Sequence, residues 1–145
     1  MNVQSIVDRK GADVATIHGD ASLADAAALL RDRNVGALVV SADGVTIVGL
    51  VSERDVVRAA AAHGASALGR PVTSVMSAKV RTCRSTDSVQ RLMEEMTEHR
   101  IRHLPVVDDA GRLCGIVSIG DVVKARLGEL EGDNQALADY LHQGQ

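Results

Sequence analysis

An internal repeat constrains this chain more than any other feature of its sequence. Residues 34–59 align without a gap on residues 100–125, at a constant offset of 66 positions, and ten of the 26 aligned positions are identical. Two copies of one unit, each about 60 residues long, therefore occupy most of the 145-residue chain. A unit of that size buries too little surface to be stable alone, so we expect the two copies to pack against each other.

Each copy shows the same order of secondary-structure signals. Ser22 begins a capping box ahead of apolar residues at helical spacing. Two short runs rich in valine, isoleucine and leucine follow, and Asp43-Gly44 between them is typical of a hairpin turn. A second helix is predicted to start at Ser52 and end at Gly64, and a short extended stretch precedes the first helix. The pattern predicts an α+β fold with α/β-type layers, built from two β-α-β-β-α units.

The repeat also sets the predicted domain boundaries. We place the first unit at residues 1–66, including the N-terminal lead-in and the start of the linker, and the second unit at residues 67–128. Residues 129–145 then form a C-terminal tail. The preceding helix is predicted to end at Gly128, and Leu137, Tyr140 and Leu141 lie at helical spacing in the tail, which predicts a separate short helix after Gly132.

Composition excludes several classes of function. Tyr140 is the only aromatic residue, so the stacking surfaces used to bind single-stranded nucleic acid are missing. The formal net charge is −3, which does not favour binding to a phosphate backbone. No segment approaches the length of a membrane span or a signal peptide. Cys83 and Cys114 have no metal-ligand spacing and are interpreted as small buried apolar residues. Two such cysteines are typical of a reducing compartment, so we expect a cytoplasmic protein. From the composition and the segment lengths we expect no nucleic-acid or membrane partner.

One motif occurs in both copies at the same place. Residues 49–55 (GLVSERD) and residues 115–121 (GIVSIGD) both fit the pattern Gly-h-h-(Ser/Thr)-x-x-(Asp/Asn), where h is apolar. This pattern resembles the nucleotide-binding motif of the CBS domain, the regulatory module named after cystathionine β-synthase. Residues 102–106 (RHLPV) are similar to the second-strand signature of that family. The resemblance covers about residues 10–127 and implies a tandem pair arranged about a pseudo-twofold axis, with two clefts between the units.

The resemblance also implies a ligand class, because such clefts hold AMP, ADP, ATP, NAD or S-adenosylmethionine. Carried over to this sequence, Ser52 and Asp55 belong to one cleft, and Ser118 and Asp121 belong to the other. A carboxylate one turn into a helix can accept charge-assisted hydrogen bonds from both hydroxyls of a ribose. A serine at the cap, with the free N–H groups of the first helical turn, suits a phosphate. The same Ser-x-x-Asp pattern is also a capping box that stabilises a helix by about 0.5–2 kcal/mol without any ligand.

Further residues are assigned to the clefts on the same resemblance. Thr16 and Thr82 match the region whose backbone faces the base in family members. Arg102 and His103 match positions from which basic groups reach phosphates, and the first copy has no basic residue there. Arg54, inside the first motif, offers a planar contact to phosphate oxygens, and the alternative for both Arg54 and Arg102 is a solvated side chain with no ligand. We therefore expect the two clefts to bind unequally.

These observations lead to one favoured interpretation and one alternative. The favoured interpretation is a non-catalytic sensor that binds an adenosine-containing ligand, with AMP or ATP ahead of NAD and S-adenosylmethionine, and that acts on a separate effector protein. A homodimer is expected through the alanine-rich helix faces of residues 24–28 and 59–62. The alternative is a ligand-free scaffold that serves only dimerisation. No candidate nucleophile, acid–base pair or metal cluster favours an enzyme, and no catalytic cofactor is expected.

Overall fold

The computed structural model describes residues 1–143 as two sheets with five α-helices around them. The helices are α1 (Val3–Lys10), α2 (Leu23–Arg33), α3 (Glu53–His63), α4 (Val89–His99) and α5 (Ile119–Gln143). The strands are β1 (Thr16–Ile17), β2 (Ala37–Val40), β3 (Gly49–Ser52), β4 (Cys83–Arg84), β5 (His103–Val107) and β6 (Leu113–Ser118). Two 3-10 turns, Gly64–Gly69 and Val72–Ser74, connect the units.

Each unit folds around a three-stranded sheet with the same connectivity. In the first unit the strand order is β1-β2-β3, and β2 runs parallel to β1 and antiparallel to β3, with Leu38 opposite Val51. The second unit repeats this as β4-β5-β6, with Leu104 opposite Val117. The predicted α+β fold of two β-α-β-β-α units is confirmed.

Local sequence explains where the helices begin and end. The Asp25 N–H donates to the Ser22 hydroxyl at 3.1 Å, and the Ser22 N–H donates to the Asp25 carboxylate at 3.2 Å, which completes the predicted capping box of α2. The chain leaves α2 through Asn34, whose φ of 52° lies in the left-handed region that asparagine tolerates. Helix α3 ends at Gly64, where φ is 63°, as the sequence predicts.

Each sheet is covered by its helices over an aliphatic core. The fully buried side chains of the two cores include Leu23, Leu38 and Val51 in the first unit, and Leu92, Leu104 and Val117 in the second. Burying each such side chain stabilises the fold by about 1.5–3 kcal/mol. Ala26 and Ala59, which lie on the faces predicted for a dimer contact, belong to the core of their own unit. The faces predicted for dimerisation are therefore partly used within the chain.

The segment that leads into each unit packs against the other unit. Val3 and Ile6 of α1 are buried in the core of the second unit, and the Val3 N–H donates to the Asp87 carbonyl at 2.9 Å. In the same way, Val72 is buried in the core of the first unit, and its N–H donates to the Ala21 carbonyl at 2.8 Å. These exchanged segments join the two units, so packing crosses the boundary that the repeat suggests at residue 66.

Helix α5 is longer than the sequence predicts. The expected end at Gly128 and the expected separate short helix are wrong for the described residues, because α5 continues without a break to Gln143. Gly128 and Gly132 both lie inside it, and neither has a positive φ. Each costs only about 1 kcal/mol relative to alanine, which does not end a helix that has good helix formers on both sides. Residues 144–145 of the predicted tail lie outside the described residues.

Candidate functional site

The repeated motif places a carboxylate at the start of a helix in each unit. In the first unit, β3 ends at Ser52 and α3 begins at Glu53. Asp55 Oδ2 accepts hydrogen bonds from the Ser52 N–H at 2.9 Å and from the Ser52 hydroxyl at 3.1 Å. The Asp55 N–H donates to Ser52 Oγ at 3.3 Å. The box uses Asp55 Oδ2 alone, so the helix cap does not occupy the whole carboxylate.

The Asp55 carboxylate lies at a cleft of about 740 Å³ between the two units. Ser52, Arg54 and Asp55 line it from the first unit, and Arg102 and His103 line it from the second. Five of the predicted site residues are therefore brought together, from both copies of the repeat. A volume of this size is within the range of about 300–1,000 Å³ that holds small ligands.

The cleft is rich in cations. Besides Arg54 and Arg102, its lining includes Arg58, Lys79, Arg81 and Arg100. Among residues 1–143, the acidic residues that line it are Glu53 and Asp55. A surface with this balance attracts anions, and guanidinium groups suit phosphate oxygens in particular.

Four of these cations were not predicted from the sequence, namely Arg58, Lys79, Arg81 and Arg100. Arg58 lies four residues after Arg54 on α3, and this i, i+4 spacing on one helix face was the signal that could have identified it. Arg100 lies just after α4 with a φ of 54°, and Lys79 lies in the segment before β4. The positions of Arg100 and Lys79 depend on how the two units pack, which no local pattern reveals.

Apolar residues complete the same cleft. Leu50, Val57, Val80, Ile101 and Ile119 line it together with the polar groups. Aliphatic side chains from both units can therefore enclose a flat, weakly polar group such as a purine base.

The two predicted threonines are not part of this cleft. Thr82 lines a different hollow, which also contains Val45 and Arg112. Thr16 is paired with Val39 in the first sheet and is half-buried there. Val80, which lies two residues before Thr82 in the segment that precedes β4, lines the cleft instead.

His103 lies where the two units approach each other. A Cβ atom built on Gly36 would lie 3.1 Å from the His103 ring, so the small residue in the first unit makes room for the imidazole of the second. Burial lowers the pKa of His103, and the charges of Lys10 and Arg102 lower it further, while Glu53 and Asp121 act in the opposite direction. The net pKa is below the ordinary value of histidine, so the ring is neutral near pH 7.

The motif of the second unit has a different environment. Asp121 Oδ2 accepts a hydrogen bond from the Ser118 N–H at 2.9 Å, and the Asp121 N–H donates to Ser118 Oγ at 3.2 Å, as in the first unit. Asp121 Oδ2 also contacts Lys10 Nζ of α1 at 2.6 Å. Burial raises the pKa of Asp121, but Lys10 and Ser118 outweigh it, and the net pKa is lowered.

Helix α1 leaves little space beside Asp121. The cavity there measures about 150 Å³, and Met1, Ser5, Ile6, Arg9 and Lys10 line it. Ser118 is not among the lining residues of that cavity. The two copies of the motif are therefore unequal, with one at an open cationic cleft and the other against a helix of the same chain.

The cysteines are in two different environments. Cys83 is buried, and burial, with smaller contributions from Asp87 and Cys114, raises its pKa to about 12, so its thiol is protonated at neutral pH. Cys114 is exposed, and its predicted burial is wrong, because it lies on the outward face of the alternating strand β6.

Within residues 1–143, no three His, Cys, Asp or Glu side chains are grouped so that they could hold a metal ion. None of the helices in this range is both long and apolar enough to cross a bilayer.

Comparison with known proteins places these features in a family. The chain matches the CBS domain family twice, over residues 3–62 and 72–128. It is 38% identical over 129 residues to "CBS domain-containing protein CBSX3, mitochondrial" of Arabidopsis thaliana. That alignment covers 86% of this chain and 62% of the Arabidopsis protein, so the chain spans less than two thirds of that relative.

Solved structures of similar chains share the fold. The CBS-domain containing protein ATU1752 from Agrobacterium tumefaciens has a TM-score of 0.81 at 46% identity, over 86% of this chain and 98% of that one. The CBS domain protein PAE2072 from Pyrobaculum aerophilum, solved with AMP, has a TM-score of 0.74 at 29% identity, over 83% and 89%. The CBS domain pair of protein MJ0100, solved with 5′-methylthioadenosine and S-adenosyl-L-methionine, has a TM-score of 0.78 at 25% identity, over 89% and 98%.

Proposed function

The chain belongs to the CBS domain family, and from that membership and the chemistry of the interunit cleft we propose that it is a regulatory module that binds a phosphorylated adenosine nucleotide. The observation that carries the proposal is that Asp55 shares one cleft of about 740 Å³ with Arg54 and Arg102. A nucleotide offers a diol and an anionic phosphate, and the cleft has a carboxylate for the first and guanidinium groups for the second.

Each part of the ligand has a partner of matching chemistry in this proposal. The ribose hydroxyls donate to the Asp55 carboxylate, as the family resemblance implies. The phosphates bind Arg54 from the first unit and Arg102 from the second. The base lies among aliphatic residues such as Val80 and Ile101. His103 is neutral without ligand and gains a proton more easily beside a phosphate.

The positive charge of the cleft favours some of the ligands found in similar proteins over others. PAE2072 was solved with AMP, whereas MJ0100 was solved with 5′-methylthioadenosine and S-adenosyl-L-methionine. S-adenosyl-L-methionine carries a sulfonium cation at the position where a nucleotide carries phosphate. Cations such as Arg58, Lys79 and Arg100 disfavour a positive ligand and favour AMP, ADP or ATP, with NAD as a larger phosphorylated candidate.

We further propose that each chain binds one nucleotide. Lys10 already pairs with the Asp121 carboxylate of the second motif, and α1 fills the space beside it. A ligand in the open cleft contacts both units, so it favours the arrangement of units that closes around it. Such a ligand shifts the population only by its difference in affinity between the two arrangements.

The module is non-catalytic and acts on a separate effector protein. It is a homodimer, and it works in the cytoplasm, where unpaired thiols such as Cys83 and Cys114 stay reduced.

Titration calorimetry with AMP, ATP, NAD and S-adenosylmethionine tests this function. We expect binding of ATP or AMP at one site per chain and weaker or no binding of S-adenosylmethionine. Asp55→Ala should weaken the binding at least tenfold, because each charge-assisted hydrogen bond contributes about 1.5–3 kcal/mol.

Asp121→Ala is the matched control for that substitution. It removes the same capping interaction and also the ion pair with Lys10, so the melting temperature without ligand should fall in both variants, and by more in Asp121→Ala. Affinity should fall only for Asp55→Ala. If none of the four ligands binds to the wild-type protein, the alternative of a ligand-free dimerisation scaffold is correct instead.

A further inference from the structure

Helix α5 carries an exposed apolar seam with the spacing of a coiled coil. Its members are Val123, Leu127, Leu130, Asn134, Leu137 and Leu141, which alternate at intervals of four and three residues. Residues that repeat in this way occupy the a and d positions of successive heptads. With d at Val123 and a at Leu127, five of the six seam positions are aliphatic.

The seam is exposed on the isolated chain. Leu127, Leu137 and Leu141 are 55%, 58% and 60% exposed. The opposite side of α5 is the one that packs against the second unit, because Val122 and Ala125 are buried there. The same helix therefore has two apolar sides, and only one of them is covered.

We propose that the seam pairs with the same seam of a second copy of this chain, as a parallel two-stranded coiled coil over residues 123–141. Eighteen helical steps give a contact roughly 27 Å long. Beyond Gly128 most of the helix surface is exposed, so a second helix can approach it. The proposal does not depend on nucleotide binding, and it replaces the alanine-rich faces as the dimer contact.

The polar residue in the seam favours a pair of identical helices. Asn134 occupies an a position, between Leu130 and Leu137. In a parallel dimer it faces Asn134 of the second copy, and the two amides can hydrogen-bond to each other. A single asparagine at an a position lowers stability but specifies the register and a two-stranded assembly.

Charges beside the seam specify the parallel direction. Arg126 is at a g position and Glu131 is at the following e position, and these two positions face each other across a parallel pair. Each Arg126 then lies beside Glu131 of the second copy. An antiparallel pair over the same segment sets Glu131 beside Glu131 and Asp133 beside Asp133, which is repulsive. Arg126 also contacts Glu129 of its own helix at 2.7 Å, and its five N–H donors allow both contacts.

Sedimentation analysis tests whether the seam holds the dimer. The wild-type chain should be a dimer, and the double variant Leu130→Asp/Leu137→Asp should be a monomer. The double variant Gln135→Asp/Ala136→Asp adds the same charge to the same helix away from the seam and should stay a dimer. All three should keep the thermal unfolding of the two units, since these residues are exposed. A wild-type monomer, or a dimer that survives Leu130→Asp/Leu137→Asp, overturns the proposal.

Cross-linking tests the direction of the helices. Cys114 is exposed, so the experiment starts from Cys114→Ser. Leu137→Cys in that background should form a disulfide-linked dimer on mild oxidation, because equivalent d positions meet in a parallel pair. Ala136→Cys, one position away, should cross-link much less. A dimer in which Leu137→Cys does not cross-link overturns the parallel arrangement, because the antiparallel pair places the two cysteines at different heights.

Discussion

Lys10 Nζ lies 2.6 Å from Asp121 Oδ2, although the two residues are 111 positions apart in the chain. The equivalent carboxylate of the first unit, Asp55, has no cation in this place and accepts a hydrogen bond from the Ser52 hydroxyl at 3.1 Å instead. The contact joins the N-terminal helix to the motif of the second unit. Two motifs that fit the same sequence pattern therefore differ in whether their carboxylate is open to a ligand.

Replacing Lys10 should weaken the contact between α1 and the second motif without opening that motif to a ligand. In Lys10→Met the ammonium group is gone and Asp121 is left half-buried without its partner, so we expect a loss of about 1 kcal/mol in the free energy of unfolding, at the upper end for partly exposed ion pairs. ATP binding should stay at one site per chain, because α1 still leaves only about 150 Å³ beside Asp121. Titration calorimetry measures the number of sites, and urea unfolding measures the stability.

Arg9→Met is the matched control for Lys10→Met. Arg9 is an exposed cation on the same helix and lines the same small cavity. This variant changes the net charge by the same amount and should keep one site per chain. A second site in Lys10→Met, but not in Arg9→Met, would show that the ion pair and not the volume of α1 closes the second motif.

The repeat explains which parts of the architecture could be predicted from sequence. Strands and helices follow from alternating and helical apolar patterns, and Ser22 and Ser52 mark helix starts because their side chains cap the helix locally. The position of α1 could not be predicted in this way. Val3 and Ile6 form a short apolar pattern, but the partner that buries them lies in the second unit, more than 80 residues away in the sequence.

The candidate site could also be predicted only in part from the sequence. Ser52, Arg54 and Asp55 are neighbours in one motif, so the sequence places them together. Arg102 and His103 join them only because the units pack face to face. The closure of the second motif depends on the path of α1, and the length of α5 depends on whether two glycines end a helix. These features depend on the sum of many small energies, which no single residue pattern provides.

The two motif glycines should respond differently to substitution by alanine. A Cβ on Gly49 would lie 2.9 Å from the Ser77 carbonyl oxygen and would also overlap the Met76 side chain. A Cβ on Gly115 would have its closest neighbours at 3.5 Å, which is an ordinary contact. Gly49→Ala should therefore destabilise the protein by about 1–3 kcal/mol through overpacking. Gly115→Ala should be close to neutral, or slightly stabilising because glycine weakens a strand.

Thermal unfolding compares these two variants directly. For a chain of this size a loss of 1 kcal/mol lowers the melting temperature by roughly 2–4 °C. The strand and motif position are equivalent in the two units, so the comparison isolates the space around each Cβ. Equal melting temperatures for Gly49→Ala and Gly115→Ala would contradict the close approach of the residue 76–77 segment to β3.

His103 should make the stability of the ligand-free protein depend on pH. Its folded pKa is lowered by burial and by the charges of Lys10 and Arg102, against the opposing effects of Glu53 and Asp121. The unfolded chain therefore binds a proton first as the pH falls below about 6.5. Above that pH, His103 is neutral in both states and does not change the free energy of unfolding. Below it, protonation of His103 favours the unfolded state, so the free energy of unfolding should decrease.

Urea unfolding at pH 7.5 and 5.5 should show this decrease in the wild-type protein and a smaller one in His103→Gln, which has no charge to gain. His142→Gln, which removes an exposed histidine at the end of α5, should behave as the wild type does. An identical pH dependence in all three proteins would show that the His103 ring is as accessible to protons in the folded chain as in the unfolded one.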